Sequence, residues 1–381
     1  MDIDQAHYTV DGAWLSHRDE RVGADAQLVF AFSTREHTDA VLYDALRERY
    51  PEAHVALCST AGNILGTQVS DPLVAVTAIR FADTPIQATQ VSLDDVHDVH
   101  DAGRILAKRL TAQATEAAPL VHVLVLSDGQ AVNATRLVAG FNSVLPDATT
   151  LSGGLAGDGD RFEQTLVGLD APPAPGVIAA LGFYGTALRV QCGSAGGWAP
   201  FGPSRRVTRA DNSDLIELDG TSALDLYRRY LGPFAAALPG AALRFPLELT
   251  DGDAAPVVRT ILHIDDDTGT MTFAGNIPEG ARVRLMRASY ENLVDGAIDA
   301  AEAAGPDPHR ADLALCISCV GRRIVLGQRV EDETEGVRDH LGDEVALTGF
   351  YSYGELAPSL PGGACTLHNQ TMTITTFTEH A

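Results

Sequence analysis

One order of segments occurs three times in this chain, and any fold it adopts has to house all three copies. An apolar run at 28–33 leads through a helix-like stretch to 55–63, and a second apolar run at 73–81 closes the block. The same order returns as 121–129, 150–158 and 176–185, and again as 313–323, 345–355 and 371–377. The first two copies share one register: Ser33 to Ser127 is 127 − 33 = 94 positions, and Cys58 to Ser152 is 152 − 58 = 94. The third copy lies farther on and carries two extra residues in its second strand-turn. Such spacing implies duplication of a strand–helix–strand–strand unit. The reading is an α/β fold of repeated units, with sheets buried in layers and helices outside. Each copy changes from apolar residues to Gly, Ser, Thr and Tyr in the turn after its second strand. Those turns are where a binding site is expected.

The helical stretches carry the required period. Val41, Leu42, Ala45 and Leu46 share one face before Pro51; Leu137, Val138, Phe141 and Leu145 share another, with Asn133 as cap and Pro146 as stop. Between copies two and three lies a long insertion. It reads as a hairpin over 198–220, a short helix ended by Gly232-Pro233, then antiparallel strands with Asp266, Asp267 and Gly269 in a turn. The run over 290–306 reads as a helix with Gly305-Pro306 as its stop. The boundary between an N-terminal and a C-terminal part is expected near 185–205.

With 27 basic and 51 acidic residues the net charge is −24, and Lys108 is the only lysine. That field repels nucleic acid and anionic membrane surfaces, so neither is an expected partner. The first residues lack the basic start and apolar core of a secretory leader. No apolar stretch approaches the roughly 20 residues of a spanning helix. Five cysteines fit a reducing compartment, and the chain reads as cytoplasmic.

The signatures of the common enzymes are missing: GxSxG, HExxH, GxxxxGK[ST] and GxGxxG do not occur. The glycines at 153–159 read as a tight turn after a buried strand, with no lysine to meet a phosphate. Cys316 and Cys319 form a CxxC without a second pair, and read as buried strand residues rather than half a zinc site. His97 and His100 sit in a solvated acidic segment, and His122 and His263 read as core histidines. His368, Asn369 and Gln370 stand together before the last strand, where they either hydrogen-bond a ligand or fix a turn. The third copy's turn combines Tyr351, Ser352, Tyr353 and Glu355, the mixture of aromatic walls and polar tips that small-molecule pockets use. Taken singly, Glu355 reads as a solvated turn residue.

The order of ALCSTAGNI, VLSDG and SGGLAGD, followed by ELDGTSALDLYRRYLG, NIPEGARVRL, CVGRR, YGELAP and LHNQTMTIT, resembles the FIST family from about Leu28 to Phe377. The resemblance implies a two-part architecture, an N-terminal domain over 25–195 and a C-terminal domain over 196–378. It implies a sensory protein rather than an enzyme. Such a protein binds a small ligand and, with no output domain in the pattern, signals through a separate partner such as a histidine kinase. Cys58, Ser59, Thr60, Asp128, Gly153, Gly154, Arg322, Glu355, His368 and Asn369 occupy family-typical positions. With Tyr353 they are the candidate ligand-binding residues. One branch of the family resembles haem-binding nitric-oxide sensors, so haem is the alternative ligand; His368 is the first candidate to hold it, then His122 and His263. A third reading is an enzyme pairing Cys58 or Ser59 with His368, and a fourth is an assembly module without a pocket.

Overall fold

The computed structural model describes residues 1–18, 21–238, 240–252, 255–305, 311–360 and 362–380. Each sequence repeat becomes the centre of its own six-stranded sheet. In the first, Leu28–Ser33 and His54–Ser59 pair in parallel, and Val74–Arg80 runs antiparallel beside Leu28–Ser33. The second repeats this with Leu120–Ser127, Thr150–Leu155 and Val177–Tyr184. The third uses Leu313–Cys319, Ala346–Ser352 and Met372–Glu379. A strand absent from the repeat pattern flanks each closing strand: Asp2–Tyr8, Ile86–Ser92 and Leu188–Ala195 respectively.

The other flank of each sheet comes from a different copy. Asn63–Leu65 of the first copy pairs with Ala346–Ser352 of the third. Val167–Leu169 of the second pairs with His54–Ser59 of the first. Glu355–Pro358 of the third pairs with Thr150–Leu155 of the second. The exchange is cyclic, and no copy completes its own sheet.

The inner faces of the three sheets meet in one apolar core that holds Phe30 and Phe32, Leu124 and Phe183, and Ile317, Phe350 and Phe377. Strand residues enclosed in this way are apolar on both faces, as the unbroken runs in the sequence require. Burying each such ring contributes roughly 1.5–3 kcal/mol. Helices pack outside. Asp39 caps Ala40–Arg49 by accepting the Leu42 N–H, and Asn133 caps Ala134–Asn142 by accepting from Arg136. Leu42 and Leu46 are buried as expected, whereas Val41 is 70% exposed, because only a narrow stripe of this short helix faces the sheet. Helices Val99–Thr111 and Ala134–Asn142 touch through glycines: a Cβ on Gly103 would lie 2.3 Å from the Leu137 carbonyl, and one on Gly140 2.1 Å from that of His100.

The insertion forms a separate eight-stranded sheet with its own core around Leu215, Tyr227, Leu247, Met271 and Leu285. Its first hairpin joins Ala199–Asp211 to Asp214–Leu218, helix Ala223–Leu231 follows, and Gly269 makes the turn after Asp265. His263 stands on Ile261–Asp265, an edge strand of this sheet, and is exposed; the expected core position does not hold because that face of the edge strand meets solvent. His122 is fully buried beside Phe183 and Phe377. Pro306, the expected stop after helix Tyr290–Ala303, lies outside the described residues. Among the described residues no helix is long and apolar enough to cross a membrane.

Candidate functional site

The three turns that follow the second strands do converge, and they fill their meeting point with backbone. Ala61 and Tyr351 exchange bonds across two copies, Ala61 N–H to Tyr351 O and Tyr351 N–H to Gly62 O, both at 2.8 Å. Gly157 N–H reaches Ser59 O at 2.9 Å, and Leu155 N–H reaches Gly354 O at 2.9 Å. A Cβ on Gly157 would sit 2.9 Å from the Ala61 nitrogen. A ligand has no room at the centre itself, and the cavities lie around it.

One of these, of about 460 Å³, opens between the repeat core and the inserted sheet. Its floor is the loop from Gly129 to Asn133 at the start of helix Ala134–Asn142. Asp128 shapes that loop: one carboxylate oxygen accepts the N–H groups of Gln130 (2.7 Å) and Ala131 (2.8 Å), and the other accepts that of Gly176 (2.8 Å). Thr165 accepts the Gly129 N–H at 2.8 Å.

The side wall is aromatic, with Tyr353 and Phe162 stacked at 4.5 Å between ring centroids. The Tyr353 hydroxyl donates to Asp158 and accepts the N–H groups of Asp158 (3.1 Å) and Phe162 (3.2 Å). Burial and the neighbouring Asp158 carboxylate push the Tyr353 phenol up, so it stays a donor. Burial alone would raise Asp158, but the N–H groups of Gln164, Glu163 and Phe162 and the Tyr353 hydroxyl hold it below the usual carboxylate value. Phe162 has φ +55°, a left-handed conformation that costs a non-glycine residue of order 1–3 kcal/mol. Its N–H bond to Asp158 at 2.9 Å offsets part of that cost and keeps the ring on Tyr353.

The roof is Ser213, Leu262 and Thr272 to Gly275 of the inserted sheet. Asn133 Nδ2 donates to Asn276 at 3.2 Å and ties floor to roof. Among the described residues no charged side chain lines this cavity. Its size suits a small molecule. Its chemistry suits one with a flat or apolar face and polar groups that pair with backbone, Asn133, Ser213 and Thr272.

A FIST N domain model matches residues 27–221 and a FIST C domain model matches residues 223–358. The chain belongs to the FIST family. FIST domains are small-ligand-binding sensory domains of signal transduction. Comparison with curated proteins gives no match.

Of the candidate residues in this FIST protein, Tyr353 lines the 460 Å³ cavity and Asp128 builds its floor. Thr60 lines a different, charged groove of about 500 Å³, beside Glu36, Arg161 and Arg323, while its hydroxyl bonds Asn63 at 2.5 Å. Cys58 and Ser59 are fully buried in the first sheet, and the Ser59 hydroxyl accepts the Leu166 N–H at 2.9 Å. Gly153 and Gly154 are in the strand Thr150–Leu155. Gly153 has φ +152°, and a Cβ there would stand 2.0 Å from the Val125 carbonyl.

Arg322 is fully buried and turned inward, with its guanidinium on Glu333 and on the carbonyls of Gly196 and Leu293. Glu355 is fully buried, not solvated, because strands on both sides enclose it; it accepts from Ser352 (2.6 Å) and from the Thr371 hydroxyl (2.9 Å). Burial pushes its carboxyl up to about 8 against these bonds. Asn369 is fully buried with neither amide atom partnered.

The His368 ring sits against Ala357 O (3.1 Å) and the Thr366 hydroxyl (3.0 Å), and burial lowers its pKa to about 4. It makes no bond to Ser59, so the arrangement a Cys/Ser–His enzyme needs is not formed. Among the described residues no histidine lines the 460 Å³ cavity, the charged groove or the 470 Å³ groove beside helix Ala134–Asn142. A haem would find no imidazole ligand in any of them. Cys316 and Cys319 are buried strand residues, as read from the sequence, and all five thiols are free. No group of three or more metal-ligating side chains occurs among the described residues.

Phe162, Asn133, Ser213 and Thr272 had no signal as site residues. The Asp- and Gly-rich run before Phe162 announces a turn but not the ring that follows it.

Proposed function

We propose that this FIST protein senses a small organic molecule bound in the 460 Å³ cavity between the repeat core and the inserted sheet. In this reading Tyr353 and Phe162 hold its flat face, and the loop shaped by Asp128 meets its polar groups. The observation that carries the reading is the strained Phe162, held on Tyr353 at the seam between two separately cored bodies. A ligand there touches both bodies at once, so occupancy biases how they sit together. We assign transmission to a separate signalling protein, such as a histidine kinase, that reads this seam. Glu355, Arg322, Gly153 and Gly154 act in this proposal by holding the turns in place, not by touching the ligand.

Native mass spectrometry of the purified chain, followed by a thermal-shift screen of small metabolites, tests the proposal. Ala131 is exposed at the cavity wall, so Ala131→Trp fills the space without disturbing a core, and Ala274→Trp fills it from the roof. Both variants should lose the co-purified mass or the thermal shift while keeping the fold. Undiminished binding in both places the ligand elsewhere.

A further inference from the structure

A second groove contains a buried arginine with no acidic partner among the described residues. Arg259 closes the short strand Val257–Arg259 of the inserted sheet and is 6% exposed. Its Nη1 donates to the carbonyls of Leu367 (3.0 Å) and Val258 (3.2 Å). Its Nε is buried without an acceptor, and among the described residues Nη2 makes no bond to protein. The free pair, Nε and Nη2, is the edge with which Arg322 grips Glu333 in this same molecule.

Among the described residues no carboxylate pairs with this cation; its printed partners are both backbone carbonyls. Burial lowers its pKa only to about 10, so it stays charged at neutral pH. An uncompensated buried charge is costly unless a counter-ion arrives.

The guanidinium faces a groove of about 470 Å³ whose walls are mostly apolar. Val138 and Ala139 of helix Ala134–Asn142 form one side, Leu249 and Val257 the other, and Leu360 and Leu367 the end. The Thr135 hydroxyl, on the same wall, is also buried without a partner. Asp251 stands exposed at the rim. Gly275 leaves the guanidinium its place, since a Cβ there would lie 2.9 Å from Nε. Arg259, with Gly275 and Asn276, separates this groove from the cavity described above.

We propose that this groove is a second ligand site, for a monocarboxylate with an apolar body. The carboxylate meets Arg259 from the Nη2 side, small side-chain shifts open Nε and the Thr135 hydroxyl to it, both closed to solvent here, and the body lies along Val138, Ala139, Leu249 and Leu360. A bidentate guanidinium–carboxylate pair supplies the missing counter-charge, and the apolar walls select against small inorganic anions. The site stands whether or not the first cavity binds its own ligand.

Calorimetric titration of the full chain with octanoate and decanoate, against octan-1-ol and inorganic phosphate, tests the assignment. One of the two carboxylates should bind at least tenfold more tightly than octan-1-ol, and phosphate should not compete. Arg259→Met should remove the preference for carboxylate, and Arg259→Lys, which keeps the charge but loses the fork, should fall between. Without ligand, Arg259→Met should melt no lower than the parent, because it removes an unpaired charge. No binding of either carboxylate, equal binding of octan-1-ol, or undiminished octanoate binding by Arg259→Met overturns the proposal. So does a ligand-free Arg259→Met that melts well below the parent, which would make Arg259 a structural link to Leu367.

Discussion

Replacing Glu333 by Gln should be among the most damaging single changes of near-equal volume in this protein. Glu333 and Arg322 both have fully buried side chains, joined through Nε at 3.0 Å and Nη2 at 2.7 Å. The second carboxylate oxygen accepts from Ser318 at 3.0 Å and from the Tyr351 hydroxyl at 2.5 Å. The remaining guanidinium donors hold Gly196 O and Leu293 O, both at 2.6 Å, so the pair links the third sheet to the start of the insertion and to helix Tyr290–Ala303. Gln keeps the shape and one acceptor, but it turns an N–H group either toward the guanidinium or toward the two hydroxyls and leaves Arg322 charged. Breaking a buried pair from one side costs about 3–5 kcal/mol. At roughly 2–4 °C per kcal/mol for a body of this size, the melting temperature should fall by about 6–20 °C. Thermal melts followed by circular dichroism would measure it, with Arg322→Met/Glu333→Leu as the companion. That double variant removes both charges and should recover a large part of the loss. A Glu333→Gln variant within 1 kcal/mol of the parent, or a double variant as unstable as the two single losses added, refutes the argument.

Other outcomes follow from the same reasoning. Glu355 has a folded pKa of about 8 against an ordinary 4.5, so the folded state holds its proton longer than the unfolded state does. Its contribution to stability is complete below about pH 4.5 and is lost as pH rises to 8, and urea midpoints of Glu355→Gln should lack this part of the decline. His368, lowered to about 4 from 6.5, has the opposite sign. Its contribution is present above about pH 6.5 and is lost on acidification toward 4, and His368→Gln should flatten that limb. Burial pushes up the thiols of Cys58, Cys316, Cys319 and Cys365, and that of Cys192 to about 11. Native protein should therefore react slowly with a disulfide reagent at pH 7.5, while denatured protein should release five equivalents. Gly140→Ala forces a methyl toward the His100 carbonyl and should destabilise by about 1–3 kcal/mol in urea melts.

The repeat was legible because each central strand is a run of apolar residues long enough to be enclosed on both faces, and the helices between them carry their own stripes. The exchanged strands were not. Asn63–Leu65, Val167–Leu169 and Glu355–Pro358 are three or four residues long and sit where the sequence turns polar and glycine-rich, so locally they look like turns. Their partners are fixed by distant contacts that no local period encodes. Glu355 shows the same limit, since strands from distant parts of the chain enclose it, and its partners are Ser352 nearby and Thr371 in the turn before the last strand. His263 failed in the other direction, as apolar neighbours do not say which face of an edge strand meets solvent. Tyr353 was found through its aromatic and polar company, whereas Phe162, its stacking partner, had to wait for the fold to bring Asp158 beneath both.

Because each copy lends a strand to the next around a closed ring, the chain meets a delay during synthesis. The Asn63–Phe350 pairing spans 350 − 63 = 287 positions. At about 5–20 residues per second, the first copy waits roughly 15–60 s after leaving the ribosome before its partner strand exists. During that interval Asn63–Leu65 and Thr150–Leu155 wait without the third-copy strands they pair with, a state prone to wrong pairing. Pairings this distant also make for slow folding once the chain is complete. A chain released early, before 346–352 is made, cannot close the ring, and a nascent chain stalled there is the form in which this protein most needs a chaperone.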